Sequence, residues 1–315
     1  ACGGDDPIVP QLPNAGNNGN DGTEEEKPEI KPDAGITLYG LVSDSAGKPI
    51  EGAVVSDGYS VASTDEKGVY QIVRNANAKH VFISVPSGYE IPAQANYGSY
   101  QGIYQAANST SGSSTKPYRA DFTLTKLAQS DKRFVLFGLG DPQPDNNEHI
   151  QRFRTEAVPD IKKIKAKYTI PTVGIALGDI LGKGDAQTFL SMKRALGETG
   201  VPFFTTIGNH DKSSVDYTGD TYRDVLGPRW YSFNRGEVHF VAMDNIIFTG
   251  QDYTGGFTDE QMAWLEKDLA FVPTSKMIVL YYHIPLRDTN YRNRQKVLDL
   301  ISKYKNPTLM CAHTH

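Results

Sequence analysis

Polar residues with ligand chemistry follow apolar runs at five places after residue 132. The stretch TIGNHD (206–211) is one of them, and it ends on an amide, an imidazole and a carboxylate. Oxygen and nitrogen ligands without a thiolate suit Mn, Fe, Zn or Mg better than a structural cysteine-rich zinc site. The residues of this kind are Asp141, Gln143, Asp179, Asn209, His210, Asp211, His283, His313 and His315.

The apolar runs read as buried strands that alternate with amphipathic helices. Helical spacing is found in 186–196, after the capping sequence TDEQ (258–261), and in 295–304. Such alternation predicts an α/β domain, in which the carboxyl ends of the strands form the functional edge. We therefore expect the polar residues to converge there. The predicted strands cover 133–139, 172–177, 202–207, 238–243, 277–282 and 308–312.

The ligand set is too large for a single ion. One carboxylate can bridge two ions, so the set indicates a binuclear site with the metals about 3.5–4 Å apart. The order GDxQ, GD, GNHD, an isolated His and a final HxH resembles the calcineurin-like metallophosphoesterase superfamily over residues 133–315. The resemblance implies a four-layer αββα sandwich, divalent metals, and hydrolysis of a small phosphorylated substrate.

The resemblance also implies a role for each residue. His210 would protonate the leaving group as a general acid, and Asp211 would orient it. A hydroxide held between the two ions would attack phosphorus, without a covalent intermediate. The ligands would form two groups: Asp141, Gln143 and His315 on the first metal, Asn209, His283 and His313 on the second, and Asp179 bridging both.

Three features depart from the superfamily pattern. Gln143 stands where a histidine is usual, and Ala312 replaces a glycine before the final HxH. The chain also stops at His315, although such domains normally continue, so we expect a truncated domain. Gln143 keeps a second hypothesis open, in which the protein is a non-catalytic surface binding lipoprotein with a degenerate metal site. For an enzyme, phosphate monoesters and diesters both remain open as substrates.

The first part of the chain divides into a tether and a β-rich module. Residues 1–34 contain eight acidic and two basic residues and almost no large apolar ones, which is typical of a flexible segment. Residues 35–127 contain short apolar runs between turns and predict a small all-β sandwich, which resembles a carboxypeptidase regulatory-like, transthyretin-like module. The phosphoesterase domain would then occupy 131–315.

The N-terminal sequence Ala1-Cys2-Gly-Gly-Asp-Asp resembles the cleavage site and export signal of a Bacteroidetes lipoprotein. We therefore expect a lipid anchor on Cys2 and an extracytoplasmic position at the bacterial cell envelope. No apolar run is long enough to span a bilayer. The chain outside the tether is close to neutral, so nothing indicates nucleic-acid binding.

Some polar and aromatic residues allow two interpretations. Four basic residues near the expected site could hold phosphate or could be solvated surface charges. Tyrosines 97, 100 and 104 are expected in a surface loop, His149 on a helix surface, and His239 inside a strand. Trp230 and Tyr231 are expected in the core or the cleft wall. The four basic residues are Lys212, Arg287, Arg292 and Arg294.

Overall fold

The computed structural model describes residues 27–108, 116–183, 185–287 and 290–315. The expected lipid-bearing Cys2 and most of the expected tether lie outside these residues. So does most of the segment that follows the tyrosine-rich loop. Within the described ranges, none of the helices combines the length and the apolar character that crossing a membrane requires.

The described residues of 27–127 form a β-rich region of two β-sheets that share one apolar core. In β1, buried residues alternate with partly exposed ones, as expected for a strand with one face on the core. The first sheet contains β1 (Leu38–Asp44), β4 (Val69–Ile72), β7 (Tyr118–Arg119) and β8 (Phe122–Leu124), and the second contains β2 (Val54–Ser56), β3 (Val61–Ser63), β5 (His80–Ser84) and β6 (Tyr104–Ala106).

The described residues of 131–315 form an α/β region with two further sheets and a hairpin. Strands β9 (Val135–Leu139), β10 (Thr172–Leu177) and β11 (Phe203–Thr206) form a parallel sheet. In the other sheet, β13 (Val238–Ala242), β16 (Met277–Tyr281) and β17 (Lys305–Met310) are parallel, and β12 (Tyr231–Arg235) is antiparallel to β13. Strands β14 (Ile246–Thr249) and β15 (Asp252–Gly255) form the hairpin.

Six α-helices accompany these strands in the described part of the chain. Thr258 caps the fifth helix by accepting a hydrogen bond from the Gln261 backbone, as the sequence predicts. The Gln261 side chain bonds the backbone of Asp244 instead of completing the expected capping box. The helices are α1 (Asn147–Thr155), α2 (Ala157–Lys165), α3 (Ala186–Glu198), α4 (Asp220–Leu226), α5 (Asp259–Leu269) and α6 (Arg294–Ile301).

The sheet of β9–β11 and the sheet of β12, β13, β16 and β17 pack face to face. The ring of Phe204 on β11 stacks on that of Phe233 on β12 at 3.7 Å between centroids. On the opposite face of the sheet formed by β9, β10 and β11, Phe203 lies in a separate apolar cluster with Phe189 and Met192 of α3. The chain is therefore a mixed α/β structure preceded by a β-rich region, as predicted, and its packing is consistent with a metallophosphoesterase fold.

Buried hydrogen bonds join the β-rich region to the α/β region. The indole nitrogens of Trp230 and Trp264 donate to the Gly58 carbonyl and the Ser56 hydroxyl, at 2.8 and 3.0 Å. The buried guanidinium of Arg235 donates to the Tyr89 carbonyl at 2.6 Å. The β-rich region is thus packed on the α/β region and is not a loosely attached module.

The expectation of a tyrosine-rich surface loop is wrong. Tyr100 and Tyr104 are buried against α3 and α4. The Tyr104 hydroxyl accepts a hydrogen bond from the Nζ atom of Lys193 at 3.1 Å, and that atom also lies over the rings of Tyr97 and Tyr100. The hydroxyls explain this burial, because each finds a polar partner across the junction; Tyr100 pairs with Thr205 at 3.2 Å.

Candidate metal centre

The residues proposed as ligands come together at the carboxyl ends of the strands. Five strands, β9, β10, β11, β16 and β17, each deliver one or two of them within five residues of the strand's last position. Asp179, His283 and His313 each present one ligand atom, and these atoms lie within 4.8 Å of one another. The strands that carry them belong to both sheets of the α/β region, so the cluster lies where the two sheets meet.

The imidazole of His283 occupies the middle of the cluster and is fully buried. Its Nδ1 atom lies 2.7 Å from the Leu177 carbonyl, which can only accept, so Nδ1 carries the hydrogen. The Nε2 lone pair then faces Asp179 Oδ2 at 3.1 Å, Asn209 Oδ1 at 3.1 Å and His313 Nδ1 at 3.2 Å. Two side-chain oxygens and two ring nitrogens this close need a proton or a cation among them.

The remaining proposed ligands line the same cluster. Asp141 accepts a hydrogen bond from the backbone N–H of His313 at 3.0 Å, and the His315 ring lies 3.8 Å from its other oxygen. The amide nitrogen of Gln143 donates to Asp179 Oδ2 at 3.0 Å. Gln143 therefore stands beside the carboxylate that was expected to bridge the two metals.

Five of these residues have a backbone conformation that side chains disfavour. Among the described residues, seven that are not glycine have a positive φ, and five of the seven are proposed ligands. This conformation turns the chain sharply after a strand and aims the side chain at the cluster, at a cost in strain. The five are Asp141 (φ 45°), Gln143 (φ 40°), Asp179 (φ 48°), His313 (φ 71°) and His315 (φ 53°).

Two glycines provide the space that the cluster needs. A Cβ atom on Gly208 would lie 2.1 Å from the carboxylate of Asp179, and one on Gly178 would lie 2.5 Å from the His283 ring. Gly178 also has a φ of 87°. The glycines that precede the proposed ligands in the sequence are therefore required by close packing around them.

His210 lies at the exposed edge of the cluster, next to Asp179. Its backbone N–H donates to Asp179 Oδ1 at 2.9 Å, and its Nδ1 atom lies 3.0 Å from the Gly182 carbonyl. Because a carbonyl only accepts, Nδ1 donates and the Nε2 atom is left for other partners. The tautomer of His210 is therefore set by a backbone group.

The expected orientation of His210 by Asp211 is wrong. The buried Asp211 carboxylate accepts hydrogen bonds from the backbone N–H groups of Ile180, Leu181 and Gly208, at 3.0, 2.9 and 2.8 Å. Asp211 thus holds together the two loops that carry Asp179 and Asn209. A carboxylate satisfies three converging N–H groups, and this outweighs pairing with one exposed imidazole.

The expectation that Lys212 could hold phosphate is also wrong. Its ammonium is buried and bonds both oxygens of Asp244 and the Ile246 carbonyl, which uses all three donors. Arg292 pairs with Asp259 on the surface, and Arg294 donates to the Leu286 carbonyl. His239 lies in β13, and Trp230 and Tyr231 are buried, as expected.

Sequence reasoning missed Asn245, which holds the loop of His283. The Asn245 side chain accepts hydrogen bonds from the backbone N–H groups of His283 and Ile284, both at 3.2 Å, and donates to the Ile284 carbonyl at 2.7 Å. Its neighbour Asp244 binds Lys212 and Arg229. The sequence MDN offered no signal for this role, because the partners are about 40 residues away.

The electrostatics of the cluster match a cation site. Burial alone would lower the pKa of His283, but the hydrogen bond and the charge of Asp179 raise it above its ordinary value. Burial and the neighbouring His283 lower the pKa of His313. Burial and the nearby Asp179 raise the pKa of Asp211 to about 7. Two carboxylates, an amide and several imidazole lone pairs around one space are the donors that divalent ions bind.

The α/β fold with a strand-end cluster of carboxylates and imidazoles is consistent with the class of metal-dependent phosphoesterases. The profile of the calcineurin-like phosphoesterase family matches residues 135–315, more than half of the chain. The profile described as the N terminal of calcineurin-like phosphoesterase matches residues 36–127. The chain therefore belongs to the calcineurin-like phosphoesterase family.

Two curated proteins are similar to this chain. The probable glycerophosphodiester phosphodiesterase GpdQ of Arcobacter nitrofigilis is 26% identical over 187 residues, which are 54% of this chain and 65% of that protein. The probable cyclic nucleotide phosphodiesterase of Moraxella catarrhalis is 22% identical over 168 residues, 48% of this chain and 60% of that protein. The chain thus spans less than two thirds of the length of either relative.

Proposed function

We propose that the protein hydrolyses a small phosphate ester, a monoester or a diester, with two divalent metal ions. The observation that carries the proposal is the position of His283 Nε2, 3.1–3.2 Å from Asp179 Oδ2, Asn209 Oδ1 and His313 Nδ1, which together form a set of donor atoms that a divalent cation can bind. Family membership and the printed names of both relatives, which are phosphodiesterases, support ester hydrolysis.

In this proposal the ligands and the general acid have separate tasks. Bound divalent ions would supply Lewis acidity, which activates water and neutralises charge on the phosphoryl oxygens. His210 donates through Nδ1 to the Gly182 carbonyl, so its Nε2 atom is the one that would give a proton to the departing alkoxide. The backbone contacts of Asp211 keep the loops of Asp179 and Asn209 together during this step.

The proposal assigns the seven ligands as the superfamily resemblance implies. Contacts in the cluster support two overlapping groups, because Asp141 lies near His315, His283 lies near Asn209 and His313, and Asp179 contacts both Gln143 and His283. Mn, Fe, Zn and Mg all suit these donors. The ligands would be Asp141, Gln143 and His315 for one ion, Asn209, His283 and His313 for the other, and Asp179 for both.

We further propose that the protein is lipid-anchored through Cys2 at the bacterial cell envelope. The Ala-Cys-Gly-Gly-Asp-Asp start and the acidic composition of residues 1–34 support this. The β-rich region, which resembles a regulatory-like module, would then stabilise the phosphoesterase domain by packing on it. Labelling of intact cells with a membrane-impermeant reagent tests this position, and a fully protected, unlipidated protein would contradict it.

The test of the enzymatic proposal combines metal analysis with turnover. The protein is stripped of metal and reconstituted with Mn, Zn, Fe or Mg. Bound metal is then counted, and hydrolysis of p-nitrophenyl phosphate and bis(p-nitrophenyl) phosphate is followed. We expect about two ions per chain and turnover of at least one ester. His210→Ala should keep its metals and lose about 100- to 10,000-fold in rate, whereas His283→Ala should lose metal.

Two outcomes would contradict parts of this proposal. Loss of both metals in His210→Ala would give His210 a structural role in place of acid catalysis. Metal-loaded protein without turnover of any mono- or diester would favour the non-catalytic binding protein, in which Gln143 marks a degenerate site. Circular dichroism of each variant separates these results from misfolding.

A further inference from the structure

An aromatic surface lies beside the metal centre on the hairpin of β14 and β15. The ring of Tyr253 is perpendicular to the ring of His313, with 6.2 Å between centroids. The ring of Phe248, on the other strand of the hairpin, lies 5.7 Å from Tyr253. No residue of this hairpin belongs to the proposed ligand set, and the hairpin pairs with no other strand in the part of the chain that the structure describes.

The ring of Tyr253 is open to solvent, although it lies next to buried ligands. Tyr253 is 36% exposed, and its hydroxyl has no hydrogen-bond partner among the described residues. An exposed aromatic face gains free energy when an organic group packs on it.

The hairpin is fixed relative to the ligands. At its base, the Gly256 backbone N–H donates to the Asn245 carbonyl at 3.0 Å, and Gly255 lies so close to Tyr291 that a Cβ atom there would be 2.3 Å from the ring. The same Asn245 binds the backbone of His283 through its side chain. Tyr253 is therefore held in register with the metal centre.

Tyr253 and His210 adjoin different residues of the ligand cluster. The His210 backbone contacts Asp179, Asp179 contacts His283, His283 contacts His313, and the His313 ring faces Tyr253. In the proposed function, His210 serves the leaving group. If His210 serves the leaving group, an organic group that packs on Tyr253 beside His313 would be a different substituent, one that stays on phosphorus.

We propose that Tyr253 is a specificity-determining residue that packs against the retained organic group of a phosphodiester, with Phe248 supporting its ring. This inference rests on the proposed hydrolysis of phosphate esters. A phosphate monoester has no such group, because its other phosphoryl substituents are charged oxygens. The aromatic surface therefore adds binding for diesters and not for monoesters.

Paired substrates test this proposal, because bis(p-nitrophenyl) phosphate carries a retained aryl group in place of one charged oxygen of p-nitrophenyl phosphate. In the full chain with Mn, Tyr253→Ala should lower kcat/KM for the diester about tenfold and leave the monoester within about twofold. Tyr253→Phe keeps the ring and should change neither ester by more than about twofold. Tyr168→Ala, which removes a tyrosine that is 49% exposed and lies before the amino end of β10, is the control.

The outcomes separate this proposal from the proposed function. If the wild-type protein turns over the diester, and Tyr253→Ala slows both esters equally or neither, the role of Tyr253 is refuted while ester hydrolysis stands. If the wild-type protein with bound metal turns over neither ester, both proposals fail together. Equal metal content in all variants excludes an indirect effect through His313.

Discussion

Backbone strain is concentrated at the residues that would bind metal. Positive φ values at Asp141, Asp179 and His313 cost free energy that the surrounding packing must offset. Gly208 and Gly178 leave room for the side chains of these residues. At the scale of single residues, the site is therefore a set of positions whose identity is fixed by space as well as by ligand chemistry.

Gly208 offers a direct test of this tight packing. In Gly208→Ala, the new methyl group would lie 2.1 Å from the Asp179 carboxylate and must displace it. Displacement of a reacting group by about 1 Å can cost about 100-fold, so we expect at least that loss of activity together with weaker metal binding. Gly138→Ala on β9 has open space around the new atom and should be neutral. Equal activity of the two variants would contradict this account.

Asp211 gives a second prediction, which concerns stability. Asp211→Ala would leave three backbone N–H groups unpaired, two of them from the loop of Asp179. We expect the free energy of unfolding in urea to fall by about 3 kcal/mol, with loss of bound metal. The exposed Asp160→Ala on α2 should change it by less than about 0.5 kcal/mol. A stable, metal-loaded Asp211→Ala with only a weakened general acid would restore the orienting role.

At the scale of elements, the strand pattern allowed the site to be predicted before the fold was known. Parallel strands end at one edge, so GD, GNHD and HxH had to meet there if the apolar runs were strands. Strand β12 was missed although Gly227-Pro228 marks a turn before it and YSFNR alternates apolar and polar residues. The hairpin of Tyr253 was missed because DYTG has little apolar alternation and owes its position to Asn245 and Tyr291.

Long-range pairing explains the other errors. Lys212 seemed available because it follows GNHD, but its partner Asp244 is 32 residues away and gave no sign in the sequence. The tyrosines of 97–104 looked like a surface loop because their partner Lys193 belongs to α3. In each case a polar group was satisfied by an element that the local sequence does not identify.

Helix α3 carries a buried lysine that should make stability depend on pH. Burial lowers the pKa of Lys193 to about 7 from an ordinary value of 10.5. Between these values the unfolded chain binds more protons than the folded one, so this residue makes stability rise with pH from about 7 to 10.5. The rise can reach about 1.4 kcal/mol per pH unit.

Lys193→Met tests this dependence. The variant should be at least as stable as the wild type at pH 7, and its advantage should shrink as the pH rises to 9 or 10. Urea unfolding at each pH measures the difference. Lys163→Met on α2 removes the same charge from an exposed position and should leave the slope unchanged. A constant difference between Lys193→Met and the wild type would show that Lys193 keeps its charge, stabilised by the tyrosine rings.

At the scale of the whole molecule, the β-rich region and the phosphoesterase domain form one packed body. Buried bonds from Trp230, Trp264 and Arg235 cross the junction, and one apolar cluster contains residues from both regions. The β-rich region therefore contributes to the stability of the domain that holds the metal centre.

We expect thermal unfolding, followed by far-ultraviolet circular dichroism, to show one transition for both regions. Trp264→Phe removes the bond to Ser56 and should lower the midpoint of this transition without splitting it, for a loss of about 1–2 kcal/mol. Lys267→Ala removes an exposed bond across the same junction and should have a smaller effect. Two separate transitions would contradict the single body.

The chain has two tryptophans, and both indoles donate their N–H across this junction. Light absorbed by tryptophan is therefore emitted from the seam between the two regions and from nowhere else in the protein. Any movement that separates them would shift that emission to the red as water reaches the indoles, without an added dye. Intrinsic tryptophan fluorescence thus reports on the contact between the β-rich region and the phosphoesterase domain.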